Sequence, residues 1–286
     1  MFKRLGVDGV KSVRLTSRDY PLYLSEIPQP PRELYYLGEL DFSLPSVAIV
    51  GTRRATRYGL ETSYKLAFDL ASAGILVVSG LALGIDSQAH LGAVNAGGKT
   101  IAVLGSGVKN IHPLQNKILA QKIAAGHGAV ISEFPPAYPP DKWTFPQRNR
   151  IIAGLSRAVI VVEAPEKSGA LITARMALDY NRDVGAVPGE ITSLNSYGTN
   201  MLLKMGAAVI RSADDVLEML GMKPRESGLD KMTDTAQYLL DLLEKPSDTD
   251  SMLKKSGLDP SKLNQELTLL ELAGKIKNMG GLFHKK

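Results

Sequence analysis

The chain has 286 residues, with 34 basic against 29 acidic side chains, a formal charge of +5 and no cysteine. That length admits one large domain, or a medium domain with a small one attached, and the lack of cysteine excludes disulfides and thiolate zinc sites. No run of about 18 apolar residues occurs, so no membrane insertion is expected, and the opening MFKRLGVDGVKS has no signal-peptide core, which points to the cytoplasm.

Residues 1–45 are Pro-rich, centred on YPLYLSEIPQPPRELYYLG, and read as an irregular N-terminal arm lying on a core. From residue 46 the rhythm changes. Short Val- and Ile-rich runs alternate with amphipathic stretches: VAIVG (47–51), ILVVSG (75–80), TIAVLG (100–105), AVISE (129–133), AVIVVEA (158–164), DVGAVPG (183–189) and AAVI (207–210). Continuous apolar strands separated by helices predict βαβ units and a mostly parallel sheet covered on both faces. The expected fold class is therefore α/β, an open doubly wound sheet over residues 46–220; seven strands are too few for an eight-unit barrel, which takes about 250 residues. Residues 221–232, GMKPRESGLDKM, are polar with Gly and Pro and read as a linker. Residues 233–286 give three helical stretches, TAQYLLDLL, TDSMLKKSG and PSKLNQELTLLELAG, then the Gly-turned KIKNMGGLFHKK. Three helices and a hairpin predict a small winged-helix domain.

Ligands of doubly wound sheets bind beyond the carboxyl ends of the strands. The first such end is VGTRRATRYG: Gly51 ends a strand, Thr52 can cap the next helix, and Arg53, Arg54 and Arg57 crowd its start. N–H groups there attract anions, and arginines add bidentate donors for phosphate. KWTFPQRNRIIAGLS (142–156) predicts another helix on the same edge. Thr144 and Gln147 have the capping-box spacing, Pro146 sits in the first turn, and Ile151, Ile152 and Leu155 make an apolar stripe. Arg148 and Arg150 stand near its positive end, where the dipole disfavours cations. An anion with several phosphates explains both arginine-bearing helix starts; a solvated basic face is the competing explanation. Lys142 and Phe145 add a cation and a stacking surface, the physics of single-stranded nucleic-acid binding, while Trp143 is equally readable as a core aromatic. Further Gly- and Ser-rich strand ends, SGLALGIDSQAH (79–90), GSG (105–107), EKSGALITA (166–174) and VPGE (187–190), suggest a broad groove.

Several enzyme classes fail on particulars. No G-x-x-x-x-G-K-[ST] is present, which excludes a P-loop ATPase. The first loop lacks G-x-G-x-x-G, and the second strand ends in Ser79 and Gly80 where a dinucleotide site wants an acid. His90, His112, His127 and His284 show no ligand spacing, so no metal or cofactor is expected. Asp86, Glu133 and Glu163 stand at strand ends, where a carboxylate pair could act as acid and base, although acids capping helix starts are commoner.

Taken in order, VAIVGTRRATRYG, SGLALGIDSQAH, ISEFPP, FPQRNRIIAGLS, EAPEKSGALITARMAL and AVPGE followed by GTNMLL resemble the DNA-processing protein A family (DprA, also called Smf). The resemblance runs from YPLYLSEIPQPP to about residue 220, and the C-terminal piece is similar to the family's winged-helix extension. It implies an extended Rossmann-like domain that binds single-stranded DNA without being an enzyme. It also implies a homodimer that protects incoming DNA and loads RecA in natural transformation. It places the family's G-[ST]-R pocket on Gly51, Thr52 and Arg53, with Arg54 beside them. The basic and aromatic contacts fall on Lys142 and Phe145, and the RNR segment on Arg148, Asn149 and Arg150.

There are departures. About 19 residues precede the YP segment, where many members carry a helical domain, so that domain's function is expected to be absent or reduced. Residues 233–286 hold eight lysines against eight acids and no arginine. The helix expected to enter a groove carries Glu266 and Glu271, which argues against duplex readout and for a protein-contact role. The alternative function is a nucleoside-phosphate ribohydrolase of the lysine-decarboxylase-like Rossmann type, with Glu133 or Glu163 as the acid. Its P-G-G-x-G-T-x-x-E loop has only EKSGALITA as counterpart, without the acid. A winged-helix transcription factor is a third reading, and the neutral recognition helix counts against it.

Overall fold

Prolines do not keep the first 45 residues out of the sheet. Strand β1 (Lys11–Arg14) pairs antiparallel with β2 (Glu33–Gly38), and the short helix α1 (Leu22–Ser25) lies between them. The expected irregular arm is thus a hairpin-like extension of the sheet. Pro21, Pro28, Pro30 and Pro31 all fall in the connection, where a missing N–H removes no ladder hydrogen bond. Leu24, Ile27 and Leu34 join the core. The structure, a computed structural model, describes residues 9–222, 234–243, 245–272 and 274–285; beyond Met222 the expected linker lies outside the described residues.

The continuous apolar runs form the centre of a nine-stranded sheet. Strand β3 (Ser46–Val50) pairs in parallel with β4 (Leu76–Ser79) on one side and with β7 (Ala158–Val161) on the other. Outside β4 lie β5 (Thr100–Val103) and β6 (Gly128–Ser132), both parallel, and β2 adds to β6 antiparallel. Outside β7 lie β8 (Asp183–Ala186) and β9 (Ala208–Val209). The sheet is open, with edges at β1 and β9, so no barrel closes. Alternate residues of the central strands face opposite layers. Val47, Ile49 and Val77 pack under α2 (Arg57–Ser72), α3 (Ile85–Asn95) and α8 (Ala213–Met219). Ala48, Val50 and Val78 pack under α5 (Thr144–Leu155) and α6 (Gly169–Asp179). Burial on both faces explains why the strands read as unbroken apolar runs. Strand order reverses between β3 and β7, and such a switch point opens a crevice at the carboxyl ends. Short helices α4 (Lys117–Lys122) and α7 (Tyr197–Lys204) complete this unit.

The chain divides into two compact units at about residue 223. The second has α9 (Asp234–Leu242), β10 (Ser247–Asp248), α10 (Thr249–Ser256), α11 (Pro260–Leu272), β11 (Ile276–Met279) and β12 (Leu282–Lys285). Its three strands lie in the order β10-β12-β11, and Leu239, Met252, Leu263, Leu267 and Ile276 fill its core. This is the winged-helix arrangement expected from the sequence. The acids of α11 are placed less adversely than their positions suggest: Glu271 accepts from the Asn278 amide in the wing at 3.2 Å, and Glu266 is half-buried. Lys262, Asn264, Gln265 and Thr268 occupy its exposed strip. Among the described residues no helix is long and apolar enough to cross a membrane.

Candidate nucleic-acid interface

The loop after β3 is pinned at both ends of Thr52. Its amide donates to the Glu163 carbonyl at 2.8 Å, and its carbonyl accepts from the Ile85 amide at 3.3 Å. Helix α2 starts at Arg57 with Thr56, not Thr52, as its cap: Thr56 Oγ1 accepts from the Gly59 amide at 3.2 Å. The Thr56 amide donates to Glu163 Oε2 at 2.9 Å, and its hydroxyl donates to Oε1. Glu163 is buried and packs so closely against α2 that no Cβ fits at Gly59. With the backbone held inward, the Arg53 and Arg54 side chains project into solvent. Arg57 lies on the outer face of α2 and pairs with Glu61 at 2.6 Å.

Helix α5 departs from its sequence signature. Thr144 is its first residue rather than its cap, donating from Oγ1 to the Asp141 carbonyl at 2.7 Å, and no capping box forms. Arg148 and Arg150 therefore lie beyond the first turn, where the dipole no longer opposes them. Two residues on a helix of 3.6 per turn are roughly 200° apart, so the two arginines face different sides. Arg148 runs beneath the cleft, donating from Nη1 to the carbonyls of Gly80 and Val103, at the ends of β4 and β5. Those carbonyls are buried and need a donor. The guanidinium fills the space a Cβ would take at Gly80. Burial lowers the Arg148 pKa to about 10, still far above neutrality, and the neighbouring Asp86 carboxylate opposes the shift. Burial also raises the Asp86 pKa, against the pull of Arg148 and of the Ala82 and Gly80 amides. Asp86 Oδ2 accepts from the Gly80 amide at 3.1 Å.

Arg150 turns away from the cleft. It forms a buried ion pair with Glu133, whose pKa burial raises and Arg150 pulls down. Its place among the expected DNA-binding residues is corrected accordingly: it ties α5 to the end of β6. Asn149 accepts from Arg148 Nε at 3.1 Å and donates to the Gly169 carbonyl at 3.3 Å, joining α5 to the start of α6. Asp86, Glu133 and Glu163, the three candidate acids, are all engaged by protein partners. Among the described residues no three His, Asp or Glu side chains converge as metal ligands.

At the switch point these pieces enclose a cleft of about 500 Å³. Gly51, Thr52, Arg53 and Arg54 line it from the β3 loop, and Lys142, Phe145, Arg148 and Asn149 line it from the start of α5. Eight of the nine expected residues are thus brought together, Arg150 excepted. The start of α6 adds Lys167, Ser168 and Gly169. Lys167 is missing from the expected set; the Gly- and Ser-rich EKSGALITA marked its loop but gave no reason to single it out. Arg53, Arg54, Lys142 and Lys167 are all exposed. The Arg53 guanidinium lies 5.1 Å from the centroid of the half-buried Phe145 ring. Trp143 packs edge-on against Phe134, with centroids 5.7 Å apart, and does not line the cleft.

A family model described as DNA recombination-mediator protein A matches residues 11–221, and one described as DprA winged helix domain matches residues 223–281. Protein Smf of Synechocystis sp. is 48% identical over 211 residues, covering 72% of this chain and 53% of that protein. DNA processing protein DprA of Bacillus subtilis is 42% identical over 214 residues, covering 74% of this chain and 72% of that protein. The chain thus spans about half the length of the Synechocystis relative, 53%. The crystal structure of DNA processing protein A from Streptococcus pneumoniae superposes with a TM-score of 0.70 at 43% identity, covering 74% of each chain. The solved structure of DNA processing protein A from Helicobacter pylori, described for its single-stranded DNA binding mode, gives 0.67 at 32% identity, covering 74% of this chain and 95% of that one.

Proposed function

The chain belongs to the DNA recombination-mediator protein A family, and from that premise we propose that it binds single-stranded DNA in the cleft as a recombination mediator and not as an enzyme. One observation carries the reading: four exposed cations from three separate loops, and an aromatic ring at the start of α5, surround one crevice at the switch point. Arg53 and Arg54 take phosphates through bidentate hydrogen bonds, Lys142 and Lys167 neutralise neighbouring phosphates, and Phe145 stacks on a base. The Helicobacter relative, described for its single-stranded DNA binding mode, supports the choice of ligand. In this reading the protein shields incoming DNA in the cytoplasm and delivers it to RecA during natural transformation.

A homodimer belongs to the same proposal. Tyr197 and Met201 on α7 and Met205 just after it are 49%, 39% and 75% exposed, and Val209 on the edge strand β9 is 52% exposed. Apolar side chains beside an open strand edge suit a second copy.

The ribohydrolase reading needs an acid able to exchange a proton with substrate, and Glu163 and Glu133 are instead committed to Thr56 and Arg150. Gel-shift with oligo-dT and with duplex, alongside nucleoside-monophosphate hydrolysis by wild type and Glu163→Gln, separates the two. The expected result is a shift with oligo-dT and no hydrolysis. Turnover that disappears in Glu163→Gln would promote the hydrolase.

A further inference from the structure

Helix α4 leaves part of the sheet uncovered. Leu37 on β2 pairs with Val130 on β6, and the register of Lys11 with Tyr36 puts Val10 opposite Leu37. The three make one apolar row across the strands. Over that row, α4 and the turn after it present the small side chains of Ala120 and Ala124. A groove of about 240 Å³ results, with Val108 and Ile111 of the loop after β5 as its remaining wall. Val10 and Leu37 are left only half-buried.

The rim of the groove is cationic. Lys109 and Lys117 line it and are exposed. Among the described residues no carboxylate lines the groove, and neither lysine has an ion-pair partner. Leu114, just before α4, and Ile118 on it are 73% and 69% exposed, so apolar surface continues beyond the rim. The volume exceeds the ~150 Å³ that admits a benzene ring but falls below the roughly 300 Å³ at which pockets for free small ligands begin. It suits one Leu or Phe side chain. Nucleic acid is a poorer occupant, because no arginine and no aromatic ring lines the groove. A second copy is also poorer: two such faces in an isologous contact would oppose lysines to lysines and leave both hollows unfilled. We infer that the groove docks an acidic segment of another protein. One large apolar side chain of that segment is buried against Leu37 and Val130, and its carboxylates lie on Lys109 and Lys117. The groove shares no lining residue with the DNA cleft, yet the loop after β5 borders both, with Gly105 so close to Phe145 that no Cβ fits. The partner is therefore held beside the cleft without occupying it.

The test is fluorescence anisotropy on the full chain with a labelled hexapeptide of four aspartates, a glycine and a phenylalanine. Comparison peptides replace the phenylalanine by alanine, or the aspartates by lysines. Wild type should bind the first peptide, and bind the alanine peptide about tenfold or more weakly, since the large side chain is no longer withdrawn from water. The exposed double variant Lys109→Glu/Lys117→Glu should bind the acidic peptide about tenfold more weakly than wild type and the lysine peptide about tenfold more tightly. Ala124→Leu fills the groove, keeps both lysines and should weaken the acidic peptide to a similar extent; the peptide comparison on wild type decides the point even where this variant does not fold. No binding of the acidic peptide by wild type, or equal binding of the phenylalanine and alanine peptides, would overturn the inference. Unchanged binding in the double variant would place the peptide elsewhere and overturn it too. The double variant should keep the wild-type salt slope with oligo-dT; a slope lower by about 0.7 per lysine would assign the rim to a DNA backbone instead. Dissociation of a wild-type oligomer in the double variant, seen by sedimentation, would give the groove to a second copy.

Discussion

Arg53 covers the ring of Phe145, with 5.1 Å between guanidinium carbon and centroid. The two residues come from different sides of the crevice, the loop after β3 and the start of α5. A cation–π contact at an exposed site is worth about 0.5–1 kcal/mol, less than hydrogen bonds between charged groups, at about 1.5–3 kcal/mol. In the proposed binding mode a phosphate would therefore draw Arg53 off the ring and uncover it for a base, so that backbone and base contacts would form together. Phe145→Ala is expected to cost about 1–3 kcal/mol of oligo-dT affinity. Phe145→Trp should keep most of it. Anisotropy titrations at several salt concentrations check this, and the slope against salt should not change in either variant.

Arg148 should behave differently from Arg53. It holds the carbonyls of Gly80 and Val103 and lies beside buried Asp86. Arg148→Ala leaves a buried carboxylate without its neighbouring cation and two buried carbonyls without their donor, a change that costs about 3–5 kcal/mol of stability. Urea denaturation should show that loss, whereas Arg53→Ala, an exposed substitution, should stay within about 0.5 kcal/mol of wild type. An Arg148→Ala protein of normal stability that failed to bind DNA would make Arg148 a direct phosphate contact.

Buried His90 gives the fold an acid-side weakness. Its Nδ1 is 2.7 Å from Thr100 Oγ1, its Nε2 has no partner among the described residues, and burial lowers its pKa from 6.5 to about 3. A depressed folded value means that the unfolded chain takes the proton first. The stabilisation is complete above pH 6.5 and is lost as pH falls towards 3. At pH 5 the loss is about 2 kcal/mol relative to pH 7.5. Asp86 and Glu133 act in the opposite sense: their raised folded values give stability that is complete at low pH and lost as pH rises through those values. Comparing His90→Asn with wild type isolates the histidine. Denaturation midpoints between pH 7.5 and 5 should fall less in the variant; parallel curves would contradict the assignment.

Removal of the second unit is expected to leave DNA binding nearly intact. All the cleft residues lie between Val50 and Thr173, and unit one ends at about residue 223. A chain truncated after Met222 should give a normal circular-dichroism spectrum and bind oligo-dT within about tenfold of the full chain at moderate salt, a difference worth one or two lysine–phosphate pairs at most. A hundredfold loss would make the winged helix a principal DNA site, and the exposed Lys262, Asn264 and Gln265 of α11 would be its first candidates.

The central sheet was legible because its strands are buried on both faces, and burial leaves an unbroken apolar signature. β1 and β2 were not, because the prolines between them dominate local composition while the pairing partner, β6, lies about 90 residues further on. The cleft residues were legible from strand-end position and residue type. The direction of each side chain was not. Arg148 and Arg150 are two positions apart and cannot face one groove together, a constraint that helix geometry contains and a motif conceals. Thr52 and Thr56 are equally good caps by type, and only the Glu163 carboxylate, arriving from β7, selects Thr56.

The central claim, that a single strand lies in this crevice with its phosphates on the exposed arginines, is tested most directly by Arg53→Ala in an anisotropy titration with oligo-dT across a range of salt. The variant should bind more weakly than wild type, and the slope of log affinity against log salt should fall by about 0.7 for each phosphate that Arg53 no longer neutralises. A folded Arg53→Ala protein with wild-type affinity and an unchanged slope would mean that no strand runs through the cleft.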